Sequence, residues 1–138
     1  MRRFTIGTLA AASGVKITTI RYYERSGLMP QPPRMAGQHR HYTEDHLQRL
    51  LFICRARALG FSIEDIRQLL VLADPTRQSC RQVEQLAAAH LDKLRNKIAV
   101  LVKLETVLSG AVAQCSGAPN VSCPVLDLLQ PSDSARLL

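Results

Sequence analysis

Ile17-Thr18-Thr19-Ile20-Arg21-Tyr22-Tyr23-Glu24-Arg25 is the stretch on which the reading of this chain turns. It predicts a helix that stops at Gly27, with Pro30 beyond it, because glycine ends helices well and proline cannot continue them. Thr18 and Arg21 lie three residues apart and so share a face near the helix start. Short polar side chains and arginines on one such face suit a helix that enters the DNA major groove. Arginine reads guanine bidentately or clamps phosphate, and tyrosine hydroxyls commonly hold phosphate. Tyr22 and Tyr23 are adjacent and must point in different directions, so one of them is expected to pack inward.

Working outward, Thr5 can cap a short helix from Ile6 to about Ala12, and Ser13-Gly14-Val15 makes a tight turn. Two short helices joined by such a turn outline a helix-turn-helix. Residues 29–42 hold Pro30, Pro32, Pro33 and Gly37 and read as an exposed loop, with a short strand over Gln38 to Tyr42. Thr43 then caps a helix to about Leu59, whose apolar face is Leu47, Leu50, Leu51, Cys54 and Ala58. Gly60 ends it, and Ser62 caps another helix to about Ala73 before Asp74-Pro75.

The longest regular segment begins at Cys80, where Ser79 and Gln82 fit a capping box, and runs without proline to about Cys115. One heptad position reads Cys80, Ala87, Leu94, Leu101, Leu108, Cys115; its pair reads Glu84, Leu91, Ile98, Glu105, Val112. This is an a/d seam broken at the two glutamates. A helix of that length outreaches so small a domain, which favours a homodimer over packing within one chain. A loop with Gly117, Pro119 and Asn120 follows, and Cys123-Pro124 opens a short apolar helix to about Leu129.

Charge supports a division of labour. The net charge is +7. Residues 1–42 carry Arg2, Arg3, Lys16, Arg21, Arg25, Arg34 and Arg40 against Glu24 alone, so nearly all the excess lies there. A basic module joined to a nearly neutral one points to nucleic acid. No run approaches the roughly 18–20 apolar residues of a membrane span. Arg2-Arg3 before Phe4 faintly resembles an export signal, but Thr5, Gly7 and Thr8 interrupt it, so the expected location is cytoplasmic. Thiols are reduced there, which favours metal or redox chemistry for Cys80, Cys115 and Cys123 over disulfides.

Ile6-Gly7 with Leu9-Ala10, then Thr19-Ile20-Arg21-Tyr22-Tyr23-Glu24 and Gly27-Leu28, resembles the opening of MerR-family regulators. Arg40-His41-Tyr42 is similar to that family's wing, and Leu59-Gly60-Phe61-Ser62 to the start of its second helix pair. The resemblance implies a mainly α fold. A winged helix-turn-helix over residues 1–75 would be followed by a long antiparallel coiled-coil dimerisation helix over 76–116. A short metal-binding loop, short helix and tail would occupy 117–138. It further implies a palindromic promoter operator in double-stranded DNA and RNA polymerase at that promoter. Activation would come through DNA distortion, a high-energy state held by backbone contacts. Carried over residue by residue, the DNA contacts are Thr18, Arg21 and Tyr22 on the recognition helix and Arg40 and Tyr42 on the wing. Lys16 and Arg57 are candidates for phosphate.

The metal-sensing branches of the family carry a cysteine pair flanking the C-terminal loop, here Cys115 and Cys123. A cysteine at the start of the dimer helix, here Cys80, marks their sensors of divalent ions. Along one straight helix Cys80 and Cys115 would stand about 50 Å apart, too far to share an ion. In an antiparallel pair, Cys80 of one subunit would meet Cys115 and Cys123 of the other, giving equivalent sites. Helix starts also favour the anionic thiolate. Three thiolates suit a thiophilic divalent ion: Hg(II) first, on the likeness of Asn120-Val121-Ser122-Cys123-Pro124, then Pb(II), Cd(II) or Zn(II).

Alternatives remain open. The Cys115–Cys123 loop is one residue shorter than in typical mercury regulators and of a length found in copper-type sensors, which keeps a monovalent copper, silver or gold sensor in play. A thiol-redox regulator of the same fold is the other alternative. His90 could add a nitrogen ligand, whereas His39, His41 and His46 lack ligand spacing, and Cys54 reads as a packing residue. No phosphate loop, nucleophile–base motif or paired carboxylates suggest an enzyme.

Overall fold

The computed structural model describes residues 2–32, 40–76, 79–115, 117 and 122–131. The expected positions Pro33, Arg34, Gly37, Gln38, His39, Pro119, Asn120 and Val121 lie outside them. In chain order the elements are β1 (Arg3–Phe4), α1 (Ile6–Ser13), α2 (Ile17–Arg25), β2 (Tyr42–Thr43), α3 (Glu44–Ala58), α4 (Ile63–Leu72), α5 (Cys80–Ala113) and α6 (Pro124–Leu128).

Local chemistry accounts for most of these bounds. Thr5 caps α1 through a reciprocal box with Thr8, and Gly14 closes the helix at φ 74°, a left-handed turn that glycine adopts without strain. The Ser62 hydroxyl accepts from the Asp65 amide at the start of α4, 3.1 Å. At the start of α5 the Ser79 hydroxyl accepts from the Gln82 amide, 3.3 Å. The α3 cap is unusual: the Thr43 amide donates to Nδ1 of His46 at 2.8 Å.

The chain divides into two compact units, Met1–Leu86 and Ala87–Leu138. The division falls inside α5. The N-terminal unit has one core, in which Leu9, Ile20, Leu28, Leu50, Ile53 and Ile66 are fully buried. At about 2 kcal/mol for each such side chain, these contacts dominate its stability. α3 runs through the centre, packing on α1, α4 and β2. Being covered on several sides, it buries Leu47, Leu50, Ile53 and Ala56, and Ala58 is exposed rather than on the core face.

Of the strand expected over Gln38 to Tyr42, only Tyr42 falls in β2, which runs on to Thr43 and pairs antiparallel with β1 in the register Arg3↔Thr43 and Phe4↔Tyr42. In the second unit α5 continues to Ala113. Leu91, Ile98, Leu101, Leu108 and Val112 of the heptad seam are all exposed, as are Val100, Val102, Leu104 and Val107. Among the described residues no helix is long and apolar enough to cross a membrane.

Candidate nucleic-acid interface and metal centre

α2 separates its residues cleanly. Ile20, Tyr23 and Glu24 are buried, while Lys16, Thr18, Arg21 and Tyr22 are exposed, Tyr22 at 48%. Of the two tyrosines, Tyr23 is therefore the packing residue. Burial raises the pKa of its hydroxyl. Arg25, one turn beyond Arg21, is exposed too and joins the same surface; its i+4 spacing was the available signal. Lys16 occupies the N-cap position and makes no side-chain capping bond. Its side chain does not cap the start of α2, whose Thr19 and Ile20 amides turn to the Lys16 carbonyl at 3.0 Å each.

Two arginines from later helices brace this surface. Arg49 donates from Nε to the Leu28 carbonyl at 2.6 Å, and Arg67 from Nη1 to the Ser26 carbonyl at 2.7 Å. Both bonds hold the chain where it leaves α2, around Gly27 at φ 81°. Burial lowers the pKa of Arg49. Arg57 donates from Nη1 to the Phe61 carbonyl at 3.0 Å, which ties down the turn after α3 while the residue stays exposed. Sequence reasoning missed the roles of Arg49 and Arg67, since a backbone acceptor leaves no mark in the side-chain pattern.

The wing pair divides. Arg40 is partly exposed, but Tyr42 is only 1% exposed. The Tyr42 hydroxyl donates to Oε2 of Glu24 at 3.2 Å, and the ring meets His46 edge-on. Burial, followed by the Glu24 charge and hydrogen bond, pushes its pKa up to about 12, so the phenol stays a donor. Tyr42 is accordingly a buried tie rather than the DNA contact expected of it: its register against Phe4 turns it into the core. Arg40 Nη1 stands 3.9 Å from the same Glu24 oxygen.

The cysteines expected to bind metal lie in both units. All are free thiols; Cys80 and Cys115 are exposed and Cys123 is half-buried. Cys80 is the first residue of α5 and opens onto an apolar depression of about 280 Å³, lined by Phe52, Leu69, Leu72, Ala73 and Val83. Cys123 is the N-cap of α6 and makes no side-chain capping bond there. Three uncommitted sulfur donors at helix ends fit a soft ion. Within one chain, and among the described residues, no three His, Cys, Asp or Glu side chains gather to hold one. Cys54 is half-buried on α3, and burial raises its thiol pKa, as befits a packing residue. His90 is buried on α5.

Residues 4–71 match the MerR HTH family regulatory protein model, and residues 47–111 match the MerR DNA-binding model. A mercuric resistance operon regulatory protein of Serratia marcescens is 40% identical over 137 residues, 99% of this chain and 94% of that protein. The chain belongs to the MerR family. MerR proteins are DNA-binding regulators of transcription rather than enzymes, which agrees with the exposed face of α2. Among MerR relatives, the transcriptional regulator ZntR of Escherichia coli K12 is 37% identical, with 95% of each chain covered. A MerR-type fold is also seen in the lead(II) complex of a transcription regulator from Ralstonia metallidurans CH34, with a TM-score of 0.76 at 39% identity, covering 94% of this chain and 99% of that one.

Proposed function

We propose that this MerR-family protein is a cytoplasmic, homodimeric, metal-responsive regulator that binds a palindromic promoter operator. On taking up a thiophilic divalent ion it activates transcription, by distorting that DNA for RNA polymerase. Hg(II) is the favoured ion; Pb(II), Cd(II) and Zn(II) belong to the same class. The observation that carries the reading is the exposed apolar seam of α5, with Cys80 at its start and Cys115 just past its end.

A helix of 34 residues spans about 50 Å, so the cysteines at its two ends cannot meet within one chain. Pairing two such helices antiparallel would cover the seam and bring Cys80 of one subunit to Cys115 and Cys123 of its partner. The ion would supply a soft electrophilic centre joining thiolates from both chains. The relatives support the class: the mercuric resistance operon regulatory proteins of Serratia marcescens and Shigella flexneri are 40% and 41% identical, and the lead(II) complex 39%. DNA contacts are assigned to Thr18, Arg21, Tyr22 and Arg40, with Lys16 and Arg57 on phosphate.

One feature favours a monovalent reading, the short Cys115–Cys123 loop. Both readings are tested by titrating the reduced dimer, without oxygen and under competing thiol, with Hg(II), Pb(II), Cd(II), Zn(II) and Cu(I). Tight divalent binding at one ion per chain, lost in Cys80→Ser, is the expected result. Tight Cu(I) binding that survives in Cys80→Ser would replace the divalent assignment. Absence of tight binding by every ion would favour thiol–disulfide sensing.

A further inference from the structure

Glu24 is a buried carboxylate on the helix assigned to the major groove. Its side chain is 2% exposed. Carboxylates this deeply buried are rare unless paired, because desolvating the charge is costly. Its hydrogen-bond and ion-pair partners among the described residues, Tyr42 and Arg40, both come from the wing, and His46 of α3 also feels its charge. Tyr42 donates to Oε2 at 3.2 Å, and Arg40 Nη1 stands 3.9 Å from that same atom. Neither partner is a neighbour in sequence, so the contacts join two separate stretches of the DNA-binding surface.

The two contacts differ in kind. Tyr42 is fully enclosed and its bond is a fixed strut. Arg40 keeps 29% of its side chain exposed, and a 3.9 Å approach is an ion pair without a close hydrogen bond. Such a pair orients a guanidinium and leaves its outer N–H groups for another acceptor. The electrostatic field at Tyr42 includes Arg21 as well, so the exposed arginine of α2 and the arginine of the wing act in one neighbourhood.

We propose that Glu24 is a positioning residue for operator binding: it holds the wing's Arg40 in register with α2, so that Arg40 meets a DNA phosphate. The proposal rests on Arg40 being a DNA contact. It makes a prediction opposite in sign to charge counting. Removing a negative charge from a DNA-binding face should by itself tighten binding; removing the group that aims Arg40 should weaken it.

The test uses the intact dimer and a promoter fragment that the wild-type protein protects from cleavage. Affinity is measured across salt for wild type, Glu24→Gln, Arg40→Ala and the double variant. Glu24→Gln should bind about ten-fold more weakly, and its salt slope should fall by roughly 0.9 for each wing arginine lost from phosphate. Arg40→Ala should lose as much, and the double variant no more than either. Tighter binding by Glu24→Gln, or losses that add in the double variant at an unchanged slope, would overturn the proposal. Wild-type affinity and slope in Arg40→Ala would remove Arg40 as a contact and the proposal with it. A normal Arg40→Ala loss beside an unaffected Glu24→Gln would overturn the positioning role alone. Should the buried amide unfold the unit, Glu24→Asp keeps the charge and retracts it by one methylene. A lowered slope in that variant supports the proposal and a wild-type slope overturns it.

Discussion

Replacing Tyr42 with Phe separates a buried strut from a DNA contact. The variant removes one hydroxyl and keeps the ring, so no cavity is opened and the edge-on contact with His46 survives. What is lost is a hydrogen bond to a carboxylate, a class worth about 1.5–3 kcal/mol. At 3.2 Å the bond is long against the roughly 2.7–2.8 Å of a good O–H···O contact, which favours the lower end, about 1.5 kcal/mol. In a unit of this size that corresponds to a fall in Tm of roughly 6–12 °C. Thermal unfolding should be followed at one fixed protein concentration, since the Tm of a dimer depends on it. Operator affinity across salt is measured alongside. The expected result is a lower Tm with an unchanged salt slope, because Arg40 retains Glu24. A Tm within about 1 °C of wild type, combined with lost operator affinity, would refute the reasoning and return the hydroxyl to the DNA.

Three further outcomes are expected. His46 accepts the Thr43 amide through an unprotonated Nδ1, and burial holds its pKa below 6.5. A depressed histidine contributes stability that is present above the unfolded pKa and lost as pH falls below about 6.5. Melting from pH 7.5 to 5 should show this loss, and His46→Gln, which can cap α3 at any of these pH values, should flatten that step. Arg21→Ala should weaken operator binding with or without metal and reduce the salt slope by about 1 for each arginine removed, read in a salt-controlled titration. Cys115→Ser should leave operator binding intact and abolish metal-dependent activation in an in vitro transcription assay; normal induction would take Cys115 out of the site.

Much of the helical frame was readable in advance, because its signals are local. Ile17–Arg25 is bounded by Gly27 and by the turn before Lys16, and Thr5, Ser62 and Ser79 mark helix starts by hydrogen-bonding chemistry that acts within three residues. That one of Tyr22 and Tyr23 would pack inward followed from helical periodicity; that it is Tyr23 came from the structure. What escaped is non-local. β1 is two residues long, and its partner lies some forty positions away. Tyr42 sits in a string of polar and basic residues, and nothing near it announces that Glu24, 18 residues earlier, waits for its hydroxyl. The α3 stripe was misjudged because a central helix is covered from several sides, so its buried arc is wider than one amphipathic face. For the metal centre, sequence offered three thiols and their register. The geometry that would join them belongs to a pair of chains.

The proposed sharing of one ion between two subunits would have a thermodynamic consequence. Cys80 belongs to the unit that ends at Leu86, whereas Cys115 and Cys123 belong to the one that begins at Ala87. An ion bound to Cys80 from one subunit and to the other two thiolates from its partner would act as a rivet through both. Metal uptake and subunit association would then be a single linked equilibrium, each strengthening the other by the same factor. Diluting the protein would loosen its grip on the ion, and a saturating dose of ion would hold together dimers too dilute to persist alone. Copy number in the cell would therefore set the detection threshold as surely as the sulfur ligands do.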